Sequence, residues 1–228
     1  MRHVVQHTEL VDGSVQARAY QLEAVDEALA GSMLLVLPTA AGKTAVSWML
    51  IAEILHRNQG WVLFIAPTGA LVNQHLKDLK KVIKNVEAIS ITGGNLPKKR
   101  EGLWKKSKII VATPQVVRND VLNGILSLEE CSLLILDEAH HSTGKHAMVQ
   151  SAEMFNASSK NGIIFGATAS PGSNAMMVNE ICSRLEIERI HIRKSDDPML
   201  KNYLSGLEIE EILVNVPEKI QILVNPLE

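Results

Sequence analysis

Short uninterrupted apolar runs recur along this sequence, and they restrict its fold more than any other feature. Leu34-Leu35-Val36-Leu37 stops at Pro38, Val62-Leu63-Phe64-Ile65 at Ala66-Pro67, Ile109-Ile110-Val111 at Ala112-Thr113, and Leu133-Leu134-Ile135-Leu136 at Asp137. A strand with one wet face alternates apolar and polar residues, whereas a continuous run needs cover on both faces. Between the runs lie segments with apolar residues at helical spacing. The pattern predicts strands over 33–37, 61–66, 88–91, 109–112, 133–136, 162–166 and 188–192. They alternate with helices over 18–30, 44–57, 70–84, 97–106, 115–122, 147–155 and 175–185. This order describes an α/β fold, a parallel sheet sandwiched between helices. Such sheets bind ligands at the carboxyl ends of their strands.

The chain of 228 residues suffices for one sizeable α/β domain, or a domain and a connector. We expect the domain over 1–194, with 1–16 a weakly determined lead-in turning at Asp12-Gly13. The segment 195–228 reads as a connector toward a second domain: a short helix after Asp196-Asp197-Pro198, an extended run over 209–216, and a helix begun at Pro217. Apolar residues make up 46% and charged residues 21%, as in a soluble protein with a filled core. A formal net charge of −2 gives no bulk attraction to nucleic acid, so any such binding needs a local patch. Cys131 and Cys182 are far apart in core-like contexts and read as buried thiols in a reducing compartment. No apolar run approaches the roughly 18 residues of a membrane span, and no secretory leader follows Met1.

The motifs fall at the expected strand ends. After 33–37 come Pro38, Thr39, Ala40, Ala41, Gly42, Lys43 and Thr44, where a strand breaks into small residues and then opens a helix. Small residues let backbone N–H groups approach phosphate oxygens, and the helix presents its positive end to them. Lys43 would reach the β- and γ-phosphates and the Thr44 hydroxyl would sit on Mg²⁺. The general phosphate-loop pattern wants glycine where Leu37 stands, so the match is partial. Asp137-Glu138 follows the strand 133–136, with one carboxylate suited to Mg²⁺ and the next to orienting or deprotonating water.

Taken together, Asp137-Glu138-Ala139-His140 and Pro38 to Thr44 resemble motifs II and I of superfamily 2 helicases and translocases. Arg18-Ala19-Tyr20-Gln21 resembles the adenine-reading Q motif. Ala66-Pro67-Thr68 with Leu71, Val72, Gln74 and His75 resembles motif Ia, Thr92-Gly93-Gly94 its neighbour, and Ala112-Thr113-Pro114-Gln115 motif Ib. Thr168-Ala169-Ser170-Pro171 resembles motif III as used by the archaeal Hef and eukaryotic FANCM group and by Dicer and RIG-I-like relatives. The segment from Gly172-Ser173 through Leu185-Glu186-Ile187 and Ile190 is most similar to Hef. The resemblance covers about residues 17–220, and as an ordered set the motifs are specific. Its motif I tolerates other residues at the first glycine and places Gly or Ala at position 40.

The resemblance implies a first RecA-like, DEAH-box ATP-binding domain of a DNA helicase or translocase acting on branched or forked DNA, with ATP and Mg²⁺ as ligands. It implies that Gln21 reads adenine with Arg18 nearby, that Pro38 to Thr44 hold ATP, and that Thr44 and Asp137 hold Mg²⁺. Lys43, Asp137, Glu138 and His140 would form the catalytic set, with Glu138 the base. His140, Thr168 and Ser170 would couple the nucleotide to the nucleic-acid groove, and Thr68, Gly93, Thr113 and Pro114 would meet one strand. A second RecA-like domain would complete the site, no membrane would be involved, and the location would be the cytoplasm of an archaeon or the nucleus of a eukaryote. Other readings stay open: a non-catalytic nucleotide-dependent module, or a helicase domain for double-stranded RNA. The basic run from Lys98-Lys99-Arg100 to Lys108 reads either as a nucleic-acid grip or as a solvated helix with Trp104 turned inward. His140, His141 and His146 fit no common zinc spacing.

Overall fold

The computed structural model describes residues 3–58, 60–142, 146–169 and 175–201. Along the chain run β1 (His3–Val4), β2 (Gln16–Ala17), α1 (Ala19–Leu29), β3 (Met33–Val36), α2 (Lys43–His56), β4 (Trp61–Ile65), α3 (Gly69–Val82) and β5 (Ala88–Ile91). They are followed by α4 (Pro97–Trp104), β6 (Ile109–Ala112), α5 (Pro114–Leu122), β7 (Cys131–Asp137), a 3-10 turn (Ala139–His141), α6 (Ala147–Ser158), β8 (Ile163–Thr168), α7 (Ala175–Leu185), β9 (Arg189–Ile192) and α8 (Pro198–Lys201). Every predicted strand and helix within the described residues is present, with ends moved by a few residues.

Seven strands form one sheet in the order β5-β6-β4-β7-β8-β3-β9, and every pairing in it is parallel. The continuous apolar runs divide between two cores by the alternation of a pleated strand. Leu35, Phe64, Val111, Ile135 and Phe165 face one layer, packed under α1, α2 and α3. Leu34, Leu63, Ile110, Leu134 and Ile164 face the other, packed under α5, α6 and α7. β8 runs two residues beyond the expected 166 because Thr168 pairs with Val36 and its carbonyl accepts the Leu37 N–H.

The lead-in is better determined than its sequence suggests. β1 and β2 pair antiparallel, Leu10 bridges to Ile83 after α3, and Leu10 and Val15 are buried. At the other end α8 packs on the same body, with Leu200 buried and Arg193 paired to Asp197 and Glu23. The expected run over 209–216 and the helix from Pro217 lie outside the described residues.

The basic run divides into parts with different fates. Arg100 is buried, and its Nε and Nη2 donate to the two carboxylate oxygens of fully buried Asp120 on α5, each at 2.7 Å. Trp104 turns inward and donates its Nε1–H to Asp120 Oδ2 at 2.8 Å, while Arg100 Nη1 donates to the Asn95 carbonyl. Arg100 is therefore a strut between α4 and α5 and is not offered to a ligand. Lys105, Lys106 and Lys108 sit at the amino edge of the sheet beside Asn58, Trp61 and Glu130, opposite the edge that carries the motifs. Lys98 and Lys99 are exposed near Gly94. Removing one partner strands the other charge in the core, which costs about 3–5 kcal/mol. Urea unfolding of Arg100→Ala should show a loss of about that size, while Lys105→Ala, on an exposed turn-to-turn pair with Glu101, should leave the midpoint nearly unchanged.

Candidate functional site

The carboxyl edge of the sheet divides by strand order. At the neighbouring ends of β7, β8 and β3 stand Asp137-Glu138, Thr168 and the loop 37–44, brought level by the pairings Asp137 with Ala167 and Val36 with Thr168. At the neighbouring ends of β5, β6 and β4 stand Gly93, Thr113-Pro114 and Thr68.

The loop after β3 is shaped by two left-handed residues, Ala40 (φ 64°) and Gly42 (φ 83°), and Gly42 caps α2. Leu37 has no such backbone, so no left-handed angle calls for glycine there. Position 42 favours glycine for its backbone angle, and a Cβ there would lie 2.3 Å from Gln21 Nε2, which would have to move off the loop. Thr39 and Ala40 form the exposed crest, and Pro38 accepts the Ala41 N–H. Lys43, at the first turn of α2, donates to the Leu37 carbonyl at 3.2 Å. Desolvation lowers its pKa, opposed by the nearby charges of Glu138 and Asp137. The half-buried Thr44 stands one residue on.

Behind the loop, α1 holds it by its carbonyls. Gln21 is buried; its Nε2 donates to Ala41 O and Gly42 O, each at 3.1 Å, and its Oε1 accepts the Arg18 N–H at 2.9 Å. Tyr20 donates its hydroxyl to Ala41 O at 2.7 Å, and Arg18 Nη1 donates to the same hydroxyl. Tyr20 belongs to the segment that resembles the Q motif, but nothing in its spacing marks a phenol aimed at the loop.

At the end of β7, Glu138 adopts a left-handed backbone (φ 52°), a costly conformation for a side chain that clusters at functional sites. His140 Nδ1 lies 3.3 Å from Glu138 Oε2 and 3.1 Å from Thr168 Oγ1, joining the two strand ends. The Thr168 hydroxyl can donate or accept, so the direction of its bond to Nδ1 follows the tautomer of the ring. Burial and the neighbouring His141 lower the His140 pKa, which favours the neutral ring. Ser170 lies outside the described residues. Among the described residues no cluster of three or more His, Cys, Asp or Glu could hold a metal. The oxygen donors of Asp137 and Thr44 are of the kind that Mg²⁺ takes.

On the other half of the edge, Thr68 is exposed and caps α3 by accepting the Leu71 N–H, and Gly93 is exposed. Thr113 and Pro114 are buried, with the Pro114 carbonyl bound by Ser151 of α6. Gln115 beside them is exposed.

A phosphate loop at the switch from β3 to α2, facing acids on the next strand but one, defines a P-loop nucleotide site on a RecA-like sheet. Residues 18–178 match the family described as DEAD/DEAH box helicase, and the chain belongs to that family. A Methanocaldococcus jannaschii protein, MJ1505, whose name contains the words ATP-dependent RNA helicase, is 41% identical over 217 residues. The match takes in 94% of this chain and 28% of that protein. The ATP-dependent DNA helicase mph1 of Sclerotinia sclerotiorum is 32% identical over 209 residues, 89% of this chain and 17% of its own length. The crystal structure of the Pyrococcus furiosus Hef helicase domain superposes with a TM-score of 0.80 at 36% identity, across 90% of this chain and 44% of that one. This chain thus spans less than a third of these two sequence relatives and less than half of the Hef structure.

Gly42→Ala should keep the circular-dichroism spectrum of the folded chain while weakening binding of a fluorescent ATP analogue by about tenfold or more, from backbone strain of about 1–3 kcal/mol. The displaced Gln21 adds to that loss.

Proposed function

We propose that this chain is the ATP-binding first motor domain of a DNA helicase or translocase of the Hef and FANCM kind, acting on branched or forked DNA once a second RecA-like domain completes the site. The observation that carries the reading is the convergence of the loop 37–44, Thr168 and Asp137-Glu138 on neighbouring strand ends. Similarity to helicases named for DNA and to the Hef helicase domain supports the substrate.

In this reading the loop amides and the positive end of α2 receive the phosphates, and Lys43 exchanges the Leu37 carbonyl for β- and γ-phosphate oxygens. Gln21 and Arg18 place the loop and the adenine edge. Thr44 and Asp137 would hold Mg²⁺, which neutralises charge on those oxygens. Glu138 orients the attacking water and takes its proton as the new O–P bond forms; the bond from the γ-phosphorus to the bridging oxygen breaks and ADP departs. His140 and Thr168, in contact at the ends of β7 and β8, couple that site to the nucleic-acid groove. Thr68, Gly93 and the turn at Thr113-Pro114 meet the backbone of one strand through hydroxyl and amide donors, which carry no sequence information.

Glu138→Gln, placed in a protein holding both motor domains, should bind ATP normally and lose about 10²–10⁴ in DNA-stimulated hydrolysis. Unchanged DNA-stimulated hydrolysis would rule out this assignment of Glu138. The chain alone, without arginines from a second domain, should turn over ATP slower by about 10³–10⁵ than the two-domain protein. One observation favours a second substrate class: the relative MJ1505 carries RNA in its name. Competition between forked DNA and duplex RNA for the same fluorescent fork separates the two, and preferential displacement by RNA would replace the DNA reading.

A further inference from the structure

Asp137 is held from outside the nucleotide site by a residue that no motif chemistry above requires. His75, on α3, places Nε2 at 2.8 Å from Asp137 Oδ2. The two side chains are only 10% and 17% exposed. The carboxylate can only accept, so Nε2 carries the proton and donates. The ring is fixed on its other side by Phe64 of β4, with centroids 4.5 Å apart and planes tilted by 39°. β4 is the neighbour of β7, with Ile65 paired to Leu136, so the strand that carries Asp137 and the strand that anchors the imidazole move as one.

Asp137 Oδ1 takes no hydrogen bond from the described residues, and the carboxylate feels the charge of Lys43 across the site. One oxygen is thus tied back and the other takes no bond from the described residues. A carboxylate that must ligate a cation through one oxygen loses rotational freedom when its second oxygen is fixed, and such outer partners set metal affinity. We propose that His75 is a positioning residue for magnesium: its Nε2–H fixes Asp137 so that the free oxygen is presented to the Mg²⁺ of a bound Mg·nucleotide. The inference rests on the nucleotide-site reading and adds to it a residue contributed by the helix that Thr68 caps.

The test is a titration of magnesium at fixed concentrations of a fluorescent ADP analogue and the 1–228 chain, repeated in EDTA. His75→Phe keeps an aromatic ring against Phe64 but has no donor; His75→Gln restores a donor at the reach of Nε2. His75→Phe should raise the magnesium needed for half-saturation by about 10–100-fold, leave nucleotide affinity in EDTA unchanged, and be largely rescued by His75→Gln. A His75→Phe chain with the wild-type magnesium requirement overturns the proposal. So does an equal loss of affinity with and without magnesium, which would make His75 a packing residue only. Failure of the underlying reading looks different: the wild-type chain itself would bind no nucleotide, or Lys43→Ala would bind as well as wild type, and the proposal would fall with it.

Discussion

The parallel seating of β8 between β3 and β7 is the constraint on which the rest of the molecule depends. It sets Thr168 level with Val36 and Ala167 level with Asp137, so the loop after β3, Thr168 and the acids arrive at one height without any loop having to reach across. Parallel ladders require crossover helices, and those helices supply both the cover for the two cores and the amino ends that flank the site. Fold and site therefore share one cause. A slip of one residue in that ladder would exchange the two core faces and turn the acids away from the loop.

The edge also shows a division of labour. Asp137-Glu138, Thr168 and the loop 37–44 gather over β7, β8 and β3, and exposed Thr68 and Gly93 lie over β4 and β5. The seam between them runs between β4 and β7, and His75 reaching Asp137 is a side-chain link across it. Buried struts stiffen the outer half: Asn95, which accepts the Thr92 N–H, is tied through Arg100 to Asp120, and so to the helix that follows Thr113.

How much of this was legible in the sequence follows from the range of each signal. Continuous apolar runs are local, so the strands and the helices between them could be read directly, as could Gly42-Lys43-Thr44 and Asp137-Glu138 at strand ends. The pairs that shape the site are not local. His75 and Asp137 are separated by 62 positions, and Tyr20 and Ala41 by 21, so no periodicity relates them. The basic run left two readings open for another reason: a cation in a solvated stripe and a cation buried against Asp120 have the same spacing, and only the partner tells them apart. β1 and β2 have two residues each, too few for any alternation to register.

The grip of α1 on the phosphate loop has a consequence for the loop's own sequence. Gln21 and Tyr20 seize carbonyl oxygens, a group that every residue possesses, and Lys43 likewise rests on the carbonyl of Leu37. What is demanded of the loop is a path of backbone angles, with left-handed turns at 40 and 42, and not a set of side chains. The glycine count of such a loop is then a poor guide to its function. A chain can drop the glycine at one end, put alanine at the crest, and still present the same arc of amides, provided the helix behind it keeps its amide and its phenol.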